Sequence, residues 1–140
     1  MRVVLDTSVI VAASRSRSGA SFELLRRLDD RCYEPALSVA LYAEWRDALS
    51  RPENRPGGVT VEEAFAFLRY LASRSILQPI YFLWRPYLSD PDDDMVLELA
   101  VAARCGRIVT HNCSDFTGSE RFGVEAVSPA VFLKRVRQSR

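Results

Sequence analysis

Short apolar runs alternate along the chain with longer segments in which apolar residues recur every three or four positions. The run at 2–6 (RVVLD) is β-branched and apolar and ends in a carboxylate, which predicts a buried first strand. Further short strands are predicted at 34–38, 107–110 and 124–127, and 78–82 reads as extended. The segment 34–38 is also compatible with a connector.

The longer segments predict helices, because their apolar residues fall on one helical face. Thr60 followed by Glu63 is a capping box, and Gly106 is a predicted helix stop. The predicted helices cover 20–30, 39–51, 60–73, 91–105 and 129–137.

This alternation predicts an α/β fold with a central, mostly parallel sheet that helices cover on both faces. The 140 residues match the size of one ordinary domain, so we expect a single domain over 1–140. Active groups of such folds gather at the carboxyl ends of the strands. Asp6 ends the first strand and 112–115 follows the fourth, so both are expected to face one crevice.

Composition narrows the class of protein. Apolar residues make up 48% of the chain, as in a globular protein, and no apolar run is long enough for a membrane helix. The apolar start is too short for a signal peptide, so we expect the cytoplasm and no membrane. The three cysteines lack metal-finger spacing and are expected to be reduced, with Cys32 and Cys105 buried. The net charge of +1 gives no strong field for nucleic acid.

Two carboxylates stand out in the first third of the chain. Asp6 directly follows an apolar strand, where a carboxylate is costly unless it is paired or holds a metal. A helix N-cap is the alternative role for Asp6. Glu44 lies at the margin of the apolar face of the helix at 39–51, and a solvated glutamate is the alternative.

The acidic run at 90–94 is the strongest signal. Asp90 before Pro91 predicts an N-cap with proline at the first helical position. Capping and the helix dipole account for one or two of the four acids, but four in five residues repel one another. A hard cation is the natural counter-charge. Asp93 shares a helix face with apolar residues that should meet the sheet, whereas Asp94 lies about 100° round.

Asp115 follows the fourth predicted strand, where an Asx turn is the alternative to a ligand role. Oxygen-only donors at this density favour Mg²⁺ or Mn²⁺ over zinc. The chemistry that such a site suits is phosphodiester hydrolysis, in which a metal activates water and neutralises charge on the phosphate.

Four segments resemble, in order, the motifs of PIN domains. The second and third are similar to those of the PIN subfamily described as toxin components of toxin–antitoxin systems, the VapC-like ribonucleases. The resemblance runs from residue 3 to about 133. Its segments are Val-Leu-Asp-Thr-Ser-Val at 4–9, Glu44–Pro52, Leu83–Pro86 with Asp90–Ala100, and Thr110–Phe116.

The resemblance implies a three-layer α/β/α fold and a metal-dependent ribonuclease. It implies that Asp6, Glu44 and Asp93 are the core ligands of Mg²⁺ or Mn²⁺, with Asp115 completing the set. Asp90 is a rival or supporting acid for the third position.

The resemblance also implies supporting residues and partners. Thr7 or Ser8, together with Asn112, would orient ligands or water. Some relatives carry Asp in place of Asn112, so a neutral amide here weakens a second metal site. The implied partners are an RNA substrate, a cognate antitoxin protein and a second copy in a homodimer.

Other polar and aromatic residues have a functional and a structural interpretation. His111 is either a base or a loop residue, and Arg15 and Arg17 either bind phosphate or lie in a solvated loop. The serines show no His–Asp partner pattern for a nucleophilic triad. An aromatic cluster predicts base stacking, core packing or a dimer surface; it comprises Tyr81, Phe82, Trp84 and Tyr87.

Three other functions compete. An aspartyl-phosphate phosphatase needs an Asp two residues after the first, where this chain has Ser8, and a distant Lys. A phosphate-receiver domain needs the same Lys, but Lys134 lies in the terminal helix. A non-catalytic PIN-like RNA-binding or scaffold module would have lost its carboxylates, and all four candidates are present.

Overall fold

The structure, a computed structural model, describes residues 1–80 and 87–138. Five parallel strands form one sheet in the order β3-β2-β1-β4-β5. The strands are β1 (Arg2–Leu5), β2 (Glu34–Leu37), β3 (Ile76–Leu77), β4 (Arg107–Val109) and β5 (Glu125–Val127).

Six α-helices and four short 3-10 helices connect the strands in the described part of the chain. The α-helices are α1 (Thr7–Arg15), α2 (Ala20–Arg26), α3 (Val39–Ser50), α4 (Val61–Ser73), α5 (Pro91–Ala102) and α6 (Pro129–Gln138). The 3-10 helices are Arg27–Asp30, Pro52–Asn54, Cys113–Phe116 and Ser119–Phe122.

The helices cover the sheet in a three-layer α/β/α arrangement, which confirms the predicted fold class. α5 packs against β1, β2 and β4, while α1 packs against α2 and α3. After a first arginine, the central strands β1 and β4 are apolar and therefore buried; Val3, Val4, Ile108 and Val109 have no exposed surface. None of the described helices combines the length and apolar character needed to cross a membrane.

The predicted helix starts are confirmed where a side chain caps the backbone. Thr60 accepts a hydrogen bond from the backbone N–H of Glu63, whose carboxylate accepts one from the Thr60 backbone N–H. This reciprocal pair is the predicted capping box. The Ser38 hydroxyl similarly accepts from the Leu41 N–H at the start of α3.

Helix α1 was not predicted from the sequence. It begins directly after Asp6, with Val9, Ile10 and Ala13 buried. Its β-branched residues have low helix propensity, and burial of one face in the core overrides that preference. The Asp6 side chain makes no capping hydrogen bond to α1, so the N-cap alternative for its carboxylate is wrong.

Two element boundaries also differ from the prediction. The third strand is Ile76–Leu77 and not 78–82, of which residues 81 and 82 lie outside the described part. Helix α5 ends at Ala102 and not at Cys105. Its stop is Arg104, which takes the left-handed conformation at φ 57°, and Gly106 plays no such part.

Backbone bonds explain the early end of α5. The Cys105 N–H donates to the Ala100 carbonyl at 2.7 Å and the Arg104 N–H to the Val101 carbonyl at 3.2 Å. This pair of bonds is the Schellman arrangement, which needs one left-handed residue and usually takes glycine there.

All three cysteines are free thiols. Cys105 is buried, as expected, whereas Cys32 is only partly buried and Cys113 is exposed.

Candidate functional site

The carboxyl ends of β1 and β4 bring Asp6 and Thr110 side by side. The two strands pair in parallel with Leu5 opposite Val109, so the next residue of each leaves the sheet at the same point. The Asp6 N–H donates to the Val109 carbonyl at 3.0 Å, which extends the pairing by one residue. The sheet therefore places the first acid beside the segment that carries Asn112 and Asp115.

Two hydroxyl groups hold the Asp6 carboxylate. Its Oδ2 accepts hydrogen bonds from Thr110 Oγ1 at 2.7 Å and from Ser8 Oγ at 2.8 Å. Asp6 is only 7% exposed, so these bonds fix the side chain and offset part of its desolvation. Within the described ranges, Oδ1 receives no hydrogen bond and is open to a further ligand.

Glu44 approaches from α3. Its Oε1 accepts a hydrogen bond from Thr7 Oγ1 at 2.6 Å, so the first residue of α1 orients it. Burial raises the pKa of Glu44, as do the charges of Asp92, Asp6 and Asp90, in that order. Glu44 is thus half-buried near other carboxylates and is not the solvated glutamate of the alternative interpretation.

Asp93 lies among the other acids. Its pKa is raised to about 6, first by burial and then by the charges of Asp90, Asp6, Asp115 and Glu44. A group that feels four like charges lies where those charges converge. The structure therefore brings the acids of four separate chain segments to one place.

A cleft of about 240 Å³ opens at this place. The acids in its lining are Asp90, Asp93 and Asp115, and hydroxyl groups of Ser89, Ser114 and Thr117 accompany them together with Tyr87 and Leu88. Carboxylate and hydroxyl oxygens are the donors that hard cations prefer.

The neighbours of Asp93 in the acidic run have structural roles. Asp90 accepts a hydrogen bond from the Asp92 N–H at 2.9 Å and caps α5, as predicted, with Pro91 at the first helical position. The Asp94 carboxylate accepts from the backbone N–H of Tyr87 and, at 2.7 Å, from that of Leu88. Asp94 thus anchors the chain segment before α5.

Asp115 is exposed in the 3-10 helix Cys113–Phe116. Its backbone N–H donates to the Asn112 carbonyl at 3.0 Å, and the Asn112 N–H donates to Thr110 Oγ1 at 3.0 Å. The segment therefore folds back onto the residue that holds Asp6. The Asn112 side chain is exposed at the same edge.

Five acids of the site have no ion-pair partner among residues 1–80 and 87–138. Elsewhere in the same ranges, Glu23, Asp29, Asp47 and Glu125 each pair with an arginine. Because the five acids of the site also lie near one another, the site is a concentration of negative charge that no ion pair in the described ranges compensates. The five acids are Asp6, Glu44, Asp90, Asp93 and Asp115.

The sequence profile of the PIN domain matches residues 2–114. The chain belongs to the PIN-domain family. PIN domains are in general nucleases, they act on nucleic acid and they typically depend on divalent metal ions. The matched residues include Asp6, Glu44, Asp90 and Asp93 and end one residue before Asp115. A search among curated proteins found no match.

The acids of this PIN domain are near one another without forming a finished ligand set. In the described part of the chain, no three His, Cys, Asp or Glu side chains are arranged to hold a metal ion as they stand. The donor chemistry nevertheless suits Mg²⁺ or Mn²⁺, because every candidate is an oxygen ligand.

Thr110 belongs to the candidate site, but the sequence predicted no role for it beyond its place in the segment Thr110–Phe116. It has no exposed surface, and its hydroxyl both donates to Asp6 and accepts from the Asn112 N–H. Its position one residue past a central strand, level with Asp6 on the neighbouring strand, is the signal that points to this role.

His111 lies exposed in the loop after β4, as the structural interpretation expects. Its Nε2 lies 2.8 Å from Ser21 Oγ. Ser21 is only 2% exposed, so its hydroxyl is not open to a substrate and the pair is not a nucleophile with its base. Arg15 and Arg17 are exposed.

The aromatic cluster is only partly described. Tyr81, Phe82 and Trp84 lie outside the described residues. Tyr87 is 40% exposed and lines the acidic cleft, so core packing is the wrong interpretation for this residue.

Proposed function

We propose that this PIN domain, as a single unit over residues 1–140, is a metal-dependent endoribonuclease that hydrolyses RNA phosphodiester bonds. The observation that supports it most is Asp93, a half-buried carboxyl whose pKa is raised to about 6 by burial and four other acids. Perturbed groups of this kind cluster at functional sites, because the arrangement costs stability unless a ligand offsets it.

In the proposal, Asp6, Glu44, Asp93 and Asp115 are the catalytic ligands of Mg²⁺ or Mn²⁺, and Asp90 assists. Their all-oxygen donor set fits these hard cations. When bound, the metal supplies an activated water and neutralises charge that develops on the phosphate.

The supporting hydroxyls prepare the ligands before a cation arrives. Thr110 and Ser8 bind one oxygen of Asp6 and leave Oδ1 for the metal, while Thr7 fixes the Glu44 carboxylate. Because these bonds set side-chain orientation, the residues act through their partners and not on the substrate. We assign Asn112 a supporting position beside Asp115, where its neutral amide would orient ligands or water.

The test is RNA cleavage by the purified protein. With Mn²⁺ present, we expect cleavage of single-stranded RNA that EDTA abolishes and that Asp6→Asn lowers at least about 100-fold. Asp47→Asn is the matched control, because Asp47 is exposed and pairs with Arg51 away from the acids. If wild-type protein with Mn²⁺ cuts neither structured nor unstructured RNA, the chain is a non-catalytic binding or scaffold module.

We further propose that the nuclease is the toxin of a toxin–antitoxin pair that acts in the cytoplasm, a compartment that suits three free thiols. This step rests on the resemblance of segments 44–52 and 90–100. The antitoxin would cover the acidic crevice, and a homodimer is a further expectation.

Expression in a host that lacks the antitoxin tests the toxin role. Wild-type protein should arrest growth, and Asp93→Asn should abolish the arrest at equal protein levels. Normal growth with the wild-type protein present and active on RNA would contradict the toxin role and leave the nuclease proposal intact.

A further inference from the structure

An aromatic residue, Tyr87, lines the acidic cleft, and a second ring packs against it. Tyr87 and Phe122 pack edge to face, with ring centroids 5.0 Å apart and an interplanar angle of 85°. Both remain open to solvent, at 40% and 41% exposure. Exposed aromatic rings lose the favourable free energy of burial. A fixed, exposed pair of rings beside a polar cleft is therefore typical of a ligand-binding surface.

Tyr87 is held in place at both ends. Its backbone N–H donates to the Asp94 carboxylate, which is itself buried in α5. Its Oη lies 3.5 Å from the Gly118 carbonyl. The ring therefore has a defined position relative to the acids. Because it is already ordered, less side-chain entropy is lost when a ligand binds.

Gly118 makes room for this ring. It adopts φ 100°, and a Cβ atom built there would lie 3.2 Å from Tyr87 Oη and 3.4 Å from Cε2. Only glycine combines that backbone conformation with close approach of the ring. The loop before the 3-10 helix Ser119–Phe122 thus seats Tyr87 while Phe122 braces it.

The ring borders the same cleft as the acids. Tyr87 lines it together with Asp90, Asp93 and Asp115. An RNA strand with one phosphate at these acids would have the adjacent base within reach of the Tyr87 ring. Aromatic rings bind unpaired bases by stacking, and single-stranded RNA is recognised largely in this way.

From this geometry we propose that Tyr87, braced by Phe122, is a base-stacking residue that holds one unpaired nucleobase of the RNA beside the scissile phosphate. The inference rests on the proposed ribonuclease function and deepens it: the substrate is RNA that is single-stranded at the cleavage site. Stacking would favour purines, which present the larger face.

The experiment combines protein variants with abasic substrates. A 12-nucleotide single-stranded RNA is cleaved with Mn²⁺ by wild-type protein, Tyr87→Leu, Tyr87→Phe and Tyr87→Trp. We expect Tyr87→Leu to lower kcat/KM at least about 5-fold, mainly through KM, because one stacked base is lost. The two aromatic variants should stay close to wild type. Tyr70→Leu is the matched control, because Tyr70 hydrogen-bonds Asp29 and does not line the acidic cleft.

Abasic ribose placed at each position in turn separates stacking from a structural role. At one position it should lower wild-type kcat/KM by a factor similar to that of Tyr87→Leu, with no added loss when both changes are combined. Equal abasic penalties in wild type and Tyr87→Leu, or unchanged kinetics of that variant at equal melting temperature, would overturn the inference. Absence of wild-type cleavage would instead overturn the proposed function.

Discussion

The carboxyl group of Asp93 lies where two unfavourable effects act in the same direction. Burial removes water from it, and the charges of Asp90, Asp6, Asp115 and Glu44 oppose its ionisation. Its neighbour Asp94 is more buried but is stabilised by two backbone N–H groups. Hydrogen bonding to its carboxylate, and not the degree of burial, therefore distinguishes Asp94 from Asp93.

The raised pKa of Asp93 predicts a pH-dependent loss of folding stability in the metal-free protein. The pKa of Asp93 is about 6 in the folded state against an ordinary value of 3.8. Between these values the folded protein holds a proton that the unfolded chain has lost, so this group lowers stability as pH rises through that window. Above pH 6 its contribution stays constant.

Thermal melts of wild-type protein and Asp93→Asn in EDTA, from pH 4 to 7, measure this contribution. The variant should gain in melting temperature over wild type as pH rises, by on the order of 3 °C at pH 7, the shift that about 1 kcal/mol produces in a domain of this size. A constant difference across the range would show that Asp93 carries no such cost.

At the scale of elements, the neighbouring ends of β1 and β4 place the first acid. Asp6 and Thr110 leave the sheet together, and the buried Thr110 hydroxyl binds Asp6 Oδ2 at 2.7 Å. Helix α1 then supplies Ser8 to Asp6 and Thr7 to Glu44. Two strands and one helix start therefore orient two of the proposed ligands, which lie far apart in sequence.

Thr110→Val tests this orientation. It keeps the side-chain shape but leaves Asp6 with one hydroxyl fewer, so Mn²⁺ affinity should fall about 10- to 100-fold, as for other supporting residues of metal sites. Thr110→Ser restores the donor and should bind Mn²⁺ nearly as well as wild type. Calorimetric titration gives both affinities, and equal affinity of the Val and Ser variants would contradict the role of the hydroxyl.

The positions of Asp6 and Asp90 in the fold were predictable from the sequence, because each follows a pattern that needs no tertiary contacts. Asp6 ends an apolar strand, and Asp90 with Pro91 marks a helix start. The choice between Asp93 and Asp94 was harder, because α5 is buried on several faces: five consecutive residues, 96–100, are buried. Periodicity cannot select one side of such a helix.

Other features depend on contacts that are remote in sequence. Helix α1 was missed because Thr7–Val11 has strand-like propensity that core packing overrides. The end of α5 was misplaced because the left-handed residue is Arg104 and not Gly106. The sequence offered base stacking for Tyr87, but its contact with Phe122 was not predictable, because the two rings meet only through the fold.

At the scale of the whole molecule, charge is distributed unevenly although the net charge is only +1. In the described ranges, several acids outside the site pair with arginine, among them Glu23, Asp29 and Glu125, whereas the five acids of the site have no such partner. A cation that neutralised them would remove their mutual repulsion, and the molecule would gain stability by binding it.

The most direct test of the metal centre is Mn²⁺ binding, followed by electron paramagnetic resonance on wild-type protein, Asp93→Asn and Asp47→Asn. The two variants make the same chemical change, and Asp47 is exposed and pairs with Arg51 away from the acids of the site. We predict that Asp93→Asn weakens Mn²⁺ binding at least about 10-fold while Asp47→Asn stays within about 3-fold of wild type. Equal binding by all three proteins, or no binding by wild type, would contradict a metal centre at these acids.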